Sequence, residues 1–483
     1  MPRIEMRLTT IVATLGPATA EAETLRRMIR AGMDVARLNF AHGDHDSHTV
    51  MLDRLRAAAE AEGKYVAVLQ DLAGPKLRLR TPGGEHVEVA RGGRLRLVPD
   101  LGDAPQPTDL AINRPEVLRD LAEGQPVLFG DGSVRTRTAG RDGDAVLLES
   151  EEAGTLAGGM GVNLPETDLS ITLPTEEDWA DLAWGIAQGV EYVGLSFVRT
   201  AQEVRCVKDH LAAQDSEARV IAKIEKPEAV EAADAILAEA DGILVARGDL
   251  GVEMDLARVP VLQKDLIRQS ASAGVPVITA TQMLQSMIAE PRPTRAEVSD
   301  VAGAVFDGSD AVMLSGETAI GRHPVRAVET MDHIIDVAED WRQRVGRPAP
   351  TARLERYVWS ERAIVAGAAG IARGLDVRLI VALTHSGATA LLVSKQDLGT
   401  PILALSDSLA TCRRMALYRG VVPVHRPQLI RHEDLAAAVE QVALARKLVA
   451  RGQRILIMCG YLPGRPGTTD TLRVHTVGEG TNG

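Results

Sequence analysis

Residues 220–249 read VIAKIEKPEAVEAADAILAEADGILVARGD and contain one structural unit followed by the start of the next. A short apolar run from Val220 is followed by a helical stretch, and a second apolar run begins at Gly242. Four to six nearly continuous apolar residues are what a parallel strand buried on both faces requires. Each run also ends in polar residues, so the unit is a buried strand, a polar strand end and a helix.

The same unit recurs along the first two-thirds of the chain. The apolar runs begin at Ile11, Val35, Val66, Tyr192, Val220, Gly242, Val277 and Ala311. Eight strand–helix units in order predict an α/β fold, a (β/α)8 TIM barrel, with a doubly wound open sheet as the alternative. Helix signals lie between the runs, including capping boxes at residues 200–203 and 294–297 and a shared apolar face at Leu25, Met28 and Ile29.

One gap in the repeat predicts an inserted domain. The spacing from Val66 to Tyr192 exceeds an ordinary βα spacing by roughly 95 residues, enough for a small domain. This segment is rich in glycine and in short alternating runs, which indicates an all-β module placed as a lid over the barrel mouth. We therefore predict a barrel at 1–73 and 166–345, a lid at 74–165 and a C-terminal α/β domain at 346–483.

The C-terminal domain is predicted from a linker and from renewed alternation of strands and helices. The linker is the stretch Arg344–Pro350, and the region Asp434–Ala450 reads as a helix. Predicted strands lie at Val377–Leu383, Ile402–Leu405, Val421–Val424, Ile455–Met458 and Val474–Val477.

Composition excludes several classes of protein. A net charge of -12 and an aromatic content of 3% disfavour a nucleic-acid surface, which needs basic residues and stacking rings. No apolar stretch reaches the ~18 residues of a membrane helix. The charged start, Met1–Arg7, has no apolar signal core, and three scattered cysteines suit a reducing compartment. We therefore expect a cytoplasmic protein without nucleic-acid or membrane partners.

Polar residues at the predicted strand ends carry the chemistry. They are Arg37, Asn39, Asp71, Ser196, Lys223, Glu225, Gly248, Asp249, Thr281 and Glu317. Because carboxyl strand ends form one face of such a barrel, these residues should converge on one mouth. Strand alternation points Lys223 and Glu225 to the same interior side, where a structural ion pair is the alternative to separate roles. Glu225 and Asp249 can supply the carboxylates with which proteins hold Mg²⁺.

Two cationic groups and a glycine-flanked turn indicate an anionic substrate. Lys223 could neutralise a transferring phosphoryl group, and Arg37 lies between apolar residues, so it needs an anionic partner such as a phosphate. The turn at residues 247–251 could cradle an anion with its backbone N–H groups, although an ordinary turn is equally compatible. Together these features favour Mg²⁺-dependent phosphoryl transfer, without a Walker loop.

Eight sequence blocks resemble the pyruvate kinase family. They appear in family order across nearly the whole chain, at residues 10–18, 31–43, 161–165, 223–225, 245–251, 280–283, 293–297 and 315–318. The resemblance implies transfer of the phosphoryl group of phosphoenolpyruvate to ADP, followed by protonation of the enolate to pyruvate. It also implies a barrel with a β lid and a C-terminal domain, and it suggests a homotetramer.

The resemblance implies roles for individual residues. Arg37 would bind the transferring phosphoryl group, and Lys223 would stabilise it and then the enolate. Glu225 and Asp249 would hold Mg²⁺ or Mn²⁺. The backbone of Gly248 and Asp249 and the Thr281 hydroxyl would receive the substrate carboxylate. The nucleotide phosphates would meet the residues Asn39, His42 and Arg78.

The chain departs from the family pattern beside the monovalent-cation pocket and in the lid. Ala41 and Leu72 replace a usual Ser and Thr, and Met160 replaces a frequent Lys that reaches the nucleotide. Lys76 replaces the acid of the Gly-Pro-Glu block, and family members with Lys here are K⁺-independent. We therefore predict that Lys76 substitutes for K⁺, the alternative being that Lys76 points to solvent and Asn39 and Asp71 still hold an ion.

A loop in the C-terminal domain resembles the family's effector loop. It contains Thr384, Ser386, Gly387 and Thr389, and Arg473 is a candidate second contact for a phosphorylated effector. A capped helix without a ligand is the alternative.

Two other functions compete with pyruvate kinase activity: a Mg²⁺-dependent lyase or aldolase acting on a pyruvate enolate, and a catalytically weak paralogue that senses metabolites.

Overall fold

The computed structural model describes residues 6–130, 132–345, 359–427, 435–460 and 469–479. Eight parallel strands close into a barrel, which confirms the predicted architecture and excludes an open doubly wound sheet. Neighbouring strands follow one another in chain order around the barrel. The strands are Thr10–Thr14, Val35–Asn39, Ala67–Asp71, Tyr192–Leu195, Arg219–Ile224, Gly242–Ala246, Val277–Ala280 and Ala311–Leu314.

Helices cover the outside of the barrel and explain why its strands are apolar on both faces. Leu25, Met28 and Ile29 are buried on the first helix, and Thr200 and Thr294 each form the predicted capping box. The helices are Ala22–Arg30, His45–Ala61, Glu176–Gln188, Ala201–Ala213, Pro227–Glu231, Ala233–Glu239, Arg247–Glu253, Val259–Ala273, Arg295–Asp307, Gly316–Ala319 and Pro324–Val345. Among the described helices, none has the length and apolar character needed to cross a membrane.

The segment inserted after the third barrel strand is an all-β module, as predicted. Seven of its strands form a second closed sheet and two pair separately. Alternation drives the packing: Leu95 and Leu97 are buried while Arg94 is exposed. The strands are Leu77–Arg80, Val87–Val89, Arg94–Leu97, Asp109–Ile112, Pro126–Phe129, Val134–Asp142, Ala145–Ser150, Gly154–Leu156 and Gly161–Asn163.

The C-terminal domain is a five-stranded sheet with helices. Its strands are Leu379–Leu383, Ile402–Ser406, Val421–His425, Arg454–Gly460 and Thr469–Thr476. Its helices are Trp359–Gly374, Ala388–Ser394, Leu409–Arg414 and Leu435–Ala445. The last strand is antiparallel to its neighbour and starts earlier than predicted.

Two local predictions need correction. The last helix ends at Ala445, not Ala450, because the chain turns at Lys447, whose φ is 56°; the predicted start, Asp434, lies outside the described residues. Arg344 belongs to the helix Pro324–Val345 and not to a linker, the rest of which is also outside the described part. The domain boundaries themselves stay predictions.

Buried ion pairs join the C-terminal domain to the end of the barrel opposite its mouth. Lys395 contacts Asp310, which directly precedes the eighth strand, at 2.6 Å. Arg419 contacts Glu339 on the last barrel helix at 2.9 Å. All four side chains are almost completely buried. The carboxyl strand ends and the lid are therefore left open to ligands.

Candidate active site

A buried network at the barrel mouth joins three strand ends through Asp71. Asp71 Oδ2 accepts a hydrogen bond from Arg37 Nε at 2.5 Å, and Asp71 Oδ1 lies 3.0 Å from Lys223 Nζ. Lys223 Nζ also contacts Glu225 Oε1 at 2.9 Å and donates to Ser196 Oγ at 2.6 Å. The ion pair considered as an alternative is thus present, as one part of a larger cluster.

The network stabilises the charged forms of Lys223 and Asp71. Burial alone would lower the pKa of Lys223, but the carboxylates of Asp71 and Glu225 reverse this effect and raise the pKa above its ordinary value. Burial would raise the pKa of Asp71, but Lys223 and Arg37 hold that pKa below its usual range. The anionic partner that Arg37 was expected to need is therefore supplied by Asp71 in the protein itself.

Glu225 and Asp249 fit a divalent cation. Burial raises the pKa of Glu225, and the negative charge of Asp249 raises it further, against the opposing effect of Lys223. Two neighbouring carboxylates that repel each other gain stability when a divalent cation lies between them. The described residues contain no cluster of three or more His, Cys, Asp or Glu side chains suited to a metal. Two carboxylates completed by substrate oxygens and water are what Mg²⁺ uses.

A strained loop brings Thr281 against Gly248. The Gly248 N–H donates to Thr281 Oγ1 at 2.7 Å, although the two residues follow different strands. Thr281 and Gln282 both have positive φ, 68° and 55°, which costs backbone energy and is typical of functional sites. A Cβ atom at residue 248 would lie 3.4 Å from Thr281 Oγ1, so glycine keeps this side of the site open.

Arg247 holds this loop and was not predicted to do so. Its Nη2 donates to the Thr281 carbonyl at 2.7 Å, and its Nη1 donates to Asp300 at 2.6 Å. The residues expected to form a turn, 247–251, are instead the start of the short helix Arg247–Glu253. In a first helical turn the backbone N–H groups lack helical partners, so they remain available as donors.

A cavity of about 440 Å³ separates the lid from the barrel mouth. Its volume lies in the range of small-molecule sites. Lining residues that matter here are His42, Lys76, Arg78, Met160, Asn163 and Asp249. Burial lowers the pKa of His42, and the positive charges of Arg78, Lys76 and Arg37 lower it further. Lys76, Arg78 and the imidazole of His42 therefore face a space that is also lined by Asp249, one of the two candidate metal carboxylates.

The monovalent-cation pocket expected in the family has its oxygens engaged within the protein. Asn39 Oδ1 accepts a hydrogen bond from the Ala41 N–H at 3.2 Å, and both oxygens of Asp71 face cations. The Leu72 carbonyl accepts a hydrogen bond from Ser196 Oγ at 2.7 Å.

The predicted effector loop follows the strand Leu379–Leu383 of the C-terminal domain. Its first hydroxyl, Thr384 Oγ1, accepts from the Gly387 N–H at 2.9 Å, and Gly387 has a φ of 86°. Ser386 Oγ accepts from the Ala388 N–H at 3.4 Å, and Thr389 Oγ1 contacts Thr469 Oγ1 at 2.8 Å. The hydroxyls of Thr384 and Ser386 thus bond backbone N–H groups where the loop leads into the short helix Ala388–Ser394, and that of Thr389 bonds the last strand.

Sequence reasoning missed the bridging role of Asp71 and the support from Ser196 and Arg247. A usable signal was present for Asp71: it ends a strand in which every residue is buried, and a buried carboxylate requires cationic or hydrogen-bonding partners. Arg247 and Ser196 had no comparable signal, because their partners come from other strand ends.

Fold and site together define a class: a (β/α)8-barrel enzyme that places a lysine, an arginine and paired carboxylates beneath a lid to act on a phosphorylated anion. Two family models match the chain, "Pyruvate kinase, barrel domain" over residues 6–328 and "Pyruvate kinase, alpha/beta domain" over residues 362–475. The chain belongs to the pyruvate kinase family.

Individual relatives agree over almost the full length. The pyruvate kinase of Sporosarcina psychrophila is 38% identical over 481 residues, which cover 98% of this chain and 81% of that protein. The enzyme of Mycobacterium tuberculosis strain H37Rv is 38% identical over 471 residues, 97% of this chain and 98% of that protein. A crystal structure of a pyruvate kinase from Cryptosporidium parvum superposes with a TM-score of 0.89 at 31% identity, covering 98% and 96% of the two chains.

This protein is accordingly a phosphotransferase that interconverts phosphoenolpyruvate and ADP with pyruvate and ATP, in a family that generally needs Mg²⁺ and usually K⁺.

Proposed function

We propose that the reaction is carried by Lys223, Arg37 and Thr281, with Glu225 and Asp249 holding Mg²⁺ or Mn²⁺. The observation that carries this assignment is the position of Lys223 Nζ, fixed between Asp71 and Glu225 at the barrel mouth. A divalent ion bound by the two carboxylates would draw electron density from phosphoryl and enolate oxygens.

Each side chain has a task that follows from its position. Arg37, oriented by Asp71 and by a 3.0 Å hydrogen bond to Thr14, can present its free N–H groups to the phosphoryl oxygens. Lys223 can stabilise charge on the phosphoryl group and then on the enolate, because its ammonium is already in place before reaction. The Gly248 N–H and the Thr281 hydroxyl, now bonded to each other, can both turn to a substrate carboxylate.

For the nucleotide we propose Asn39, His42 and Arg78. His42 and Arg78 face the cavity beside Asp249, so phosphates placed there would meet the metal carboxylates and the cationic wall together. Met160 contributes no charge, so Arg78 is the proposed phosphate contact from the lid, while Asn39 and His42 come from the barrel.

The direct test is a lactate-dehydrogenase-coupled assay with phosphoenolpyruvate, ADP and Mg²⁺. Pyruvate formation that depends on all three supports the proposal. Pyruvate release from other enolate-forming substrates without ADP would indicate a lyase or aldolase, and binding without turnover would indicate a metabolite-sensing paralogue.

We predict that the enzyme does not require K⁺. A unit charge pair at ~4 Å is worth about 4 kcal/mol at an effective dielectric of ~20, so the charge of K⁺ needs a substitute. Lys76 is half-buried in the cavity wall and its charge reaches His42, while Asn39 and Asp71 are already engaged. Activity measured in tetramethylammonium buffers free of K⁺, Na⁺ and NH₄⁺ should change less than about twofold when K⁺ is added.

The matched variant for this prediction is Lys76→Glu, which should lose activity in the same K⁺-free buffers and regain only part of it with K⁺. A tenfold or larger activation of the parent enzyme by K⁺ would refute the substitution by Lys76.

We propose a phosphorylated effector at Thr384, Ser386, Gly387 and Thr389, with Arg473, on the last strand, as a candidate second contact. Hydroxyls and N–H groups that now bond to each other can bond to a phosphate instead. A sugar phosphate or nucleoside monophosphate should lower the KM for phosphoenolpyruvate, and Ser386→Ala should reduce that response. If saturation curves with a panel of such metabolites coincide, the loop only caps its helix.

We further propose a homotetramer in the cytoplasm. Large apolar side chains exposed on barrel helices support self-association, among them Val261, Phe306 and Trp341. Light scattering should give four times the mass of one chain.

A further inference from the structure

One buried carboxylate, that of Glu253, contacts residues from two other segments of the protein. Glu253 Oε2 accepts a hydrogen bond from Lys226 Nζ at 2.9 Å. Glu253 Oε1 accepts one from Asn163 Nδ2 at 3.1 Å. Asn163 belongs to the last lid strand, Gly161–Asn163, so this contact joins the lid to the barrel. We call these three residues the lid contact.

The lid contact is attached to both segments that carry the candidate metal carboxylates. Lys226 directly follows Glu225 in the chain. Glu253 ends the helix Arg247–Glu253, and Asp249 lies four residues earlier, one helical turn away. A displacement of the lid that pulls on Glu253 therefore acts on the elements that position Glu225 and Asp249.

The lid contact consists of two interactions that differ in burial: the ion pair of Glu253 with Lys226 and the hydrogen bond of Glu253 with Asn163. The Glu253 and Lys226 side chains are 1% and 10% exposed, so their ion pair is a fixed part of the barrel. Removing one partner of such a pair leaves a buried charge and is costly. Asn163 is uncharged and only partly buried, so its hydrogen bond to Glu253 can break when the lid opens and re-form when it closes.

One other contact between the lid and the barrel lies away from the cavity. Arg114 of the lid pairs with Glu177 on a barrel helix, and the Glu177 side chain is largely exposed. Asn163, Lys226 and Glu253, in contrast, all line the cavity between the lid and the mouth. The lid contact is thus placed where a ligand in the cavity could act on it.

We propose that Glu253, held in place by Lys226, accepts the hydrogen bond of Asn163 when the lid closes on the barrel. Through this bond, Asn163 couples lid closure to the positions of Glu225 and Asp249. This inference rests on the metal site proposed above. The three residues are positioning residues and touch no reacting atom. By linkage, binding of Mg²⁺ with substrate should favour the closed lid, and loss of the Asn163 hydrogen bond should weaken Mg²⁺ binding by the same factor.

The test measures lid position directly. A nitroxide on the exposed native Cys206 of the barrel and a second on Asp144→Cys, in an exposed lid turn, report the lid-to-barrel distance by double electron–electron resonance. Mg²⁺ with phosphoenolpyruvate should narrow the distance distribution of the parent protein. In Asn163→Ala the same additions should leave a broad distribution, and isothermal titration should show Mg²⁺ binding about tenfold weaker in the presence of phosphoenolpyruvate.

Three comparisons separate the lid contact from a general structural effect. Arg114→Ala removes a lid–barrel contact outside the cavity and should leave the ligand-induced narrowing unchanged. The double variant Asn163→Ala with Glu253→Gln should widen the distribution no more than the larger single variant, since both act on one contact. kcat of Asn163→Ala should stay within about twofold of the parent, while the KM for phosphoenolpyruvate rises.

A distance distribution in Asn163→Ala that narrows as in the parent, or additive effects in the double variant, would overturn the inference. Failure of the metal-site proposal looks different: the parent protein itself would then show neither Mg²⁺ binding nor ligand-induced narrowing.

Discussion

Replacing Lys223 with methionine should lower kcat by about 10²–10³-fold while phosphoenolpyruvate still binds. Loss of one preorganised electrostatic donor costs that much in comparable sites, because water cannot supply an oriented charge at the moment of reaction. Methionine keeps an unbranched apolar chain up to the ε position and removes the ammonium, which contacts Asp71, Glu225 and Ser196. The measurement is steady-state kinetics in the coupled assay, with phosphoenolpyruvate binding followed separately by titration.

A matched control is Lys395→Met. Lys395 is another buried lysine paired with an aspartate, Asp310 at 2.6 Å, but it lies at the opposite end of the barrel. This control variant should unfold more easily and keep the parent kcat. If Lys223→Met retains kcat within threefold of the parent, Lys223 has no part in the chemistry.

Asp71→Asn should destabilise the protein, and it should also increase the stabilisation that the protein gains from binding an anionic ligand. The carboxylate of Asp71 is 1% exposed and compensates two cations, Arg37 and Lys223. Removing its charge takes this carboxylate away from buried Arg37 and leaves Lys223 with Glu225, and breaking a buried pair in this way costs about 3–5 kcal/mol. Arg37 would also lose the partner that orients it, so we expect kcat to fall by at least about tenfold.

The size of the stabilisation by phosphoenolpyruvate distinguishes charge compensation by Asp71 from a simple loss of packing. A bound phosphoryl anion would replace the missing negative charge, so phosphoenolpyruvate should raise the thermal midpoint of Asp71→Asn more than that of the parent. Asp310→Asn removes an equally buried aspartate at the far end of the barrel and should lower the midpoint without this extra response. Equal ligand-induced shifts in Asp71→Asn and in the parent would contradict the proposed charge compensation.

The same buried charges bear on the response of the enzyme to K⁺. An ion pocket lined by oxygens with spare negative charge attracts a monovalent cation, whereas here Asp71 already faces Arg37 and Lys223. Lys76 adds a further positive charge near His42. The side chains of the protein therefore supply the positive charge that K⁺ would bring, and this is why Lys76→Glu, which replaces a cation with an anion, should make the enzyme sensitive to added cations.

Much of the fold could be predicted from the chain because its signals are local. Eight short apolar runs, each followed by a helix signal, predicted the barrel, and the irregular spacing after Val66 predicted the inserted lid. Helix ends were also predictable, since a capping box such as Thr294–Glu297 is made within four consecutive residues. Periodicity and capping depend on neighbours in sequence, so the sequence alone determined them.

The partners of the site residues were decided only by tertiary structure. Asp71 joins Arg37 and Lys223, Gly248 meets Thr281, and the helix that replaces the expected turn at 247–251 carries Glu253 toward the lid. Sequence reasoning could propose that strand-end residues converge, but not which pairs touch. Those contacts exist because the barrel closes and brings distant strand ends within hydrogen-bond distance, and the resulting burial then sets which charges compensate one another.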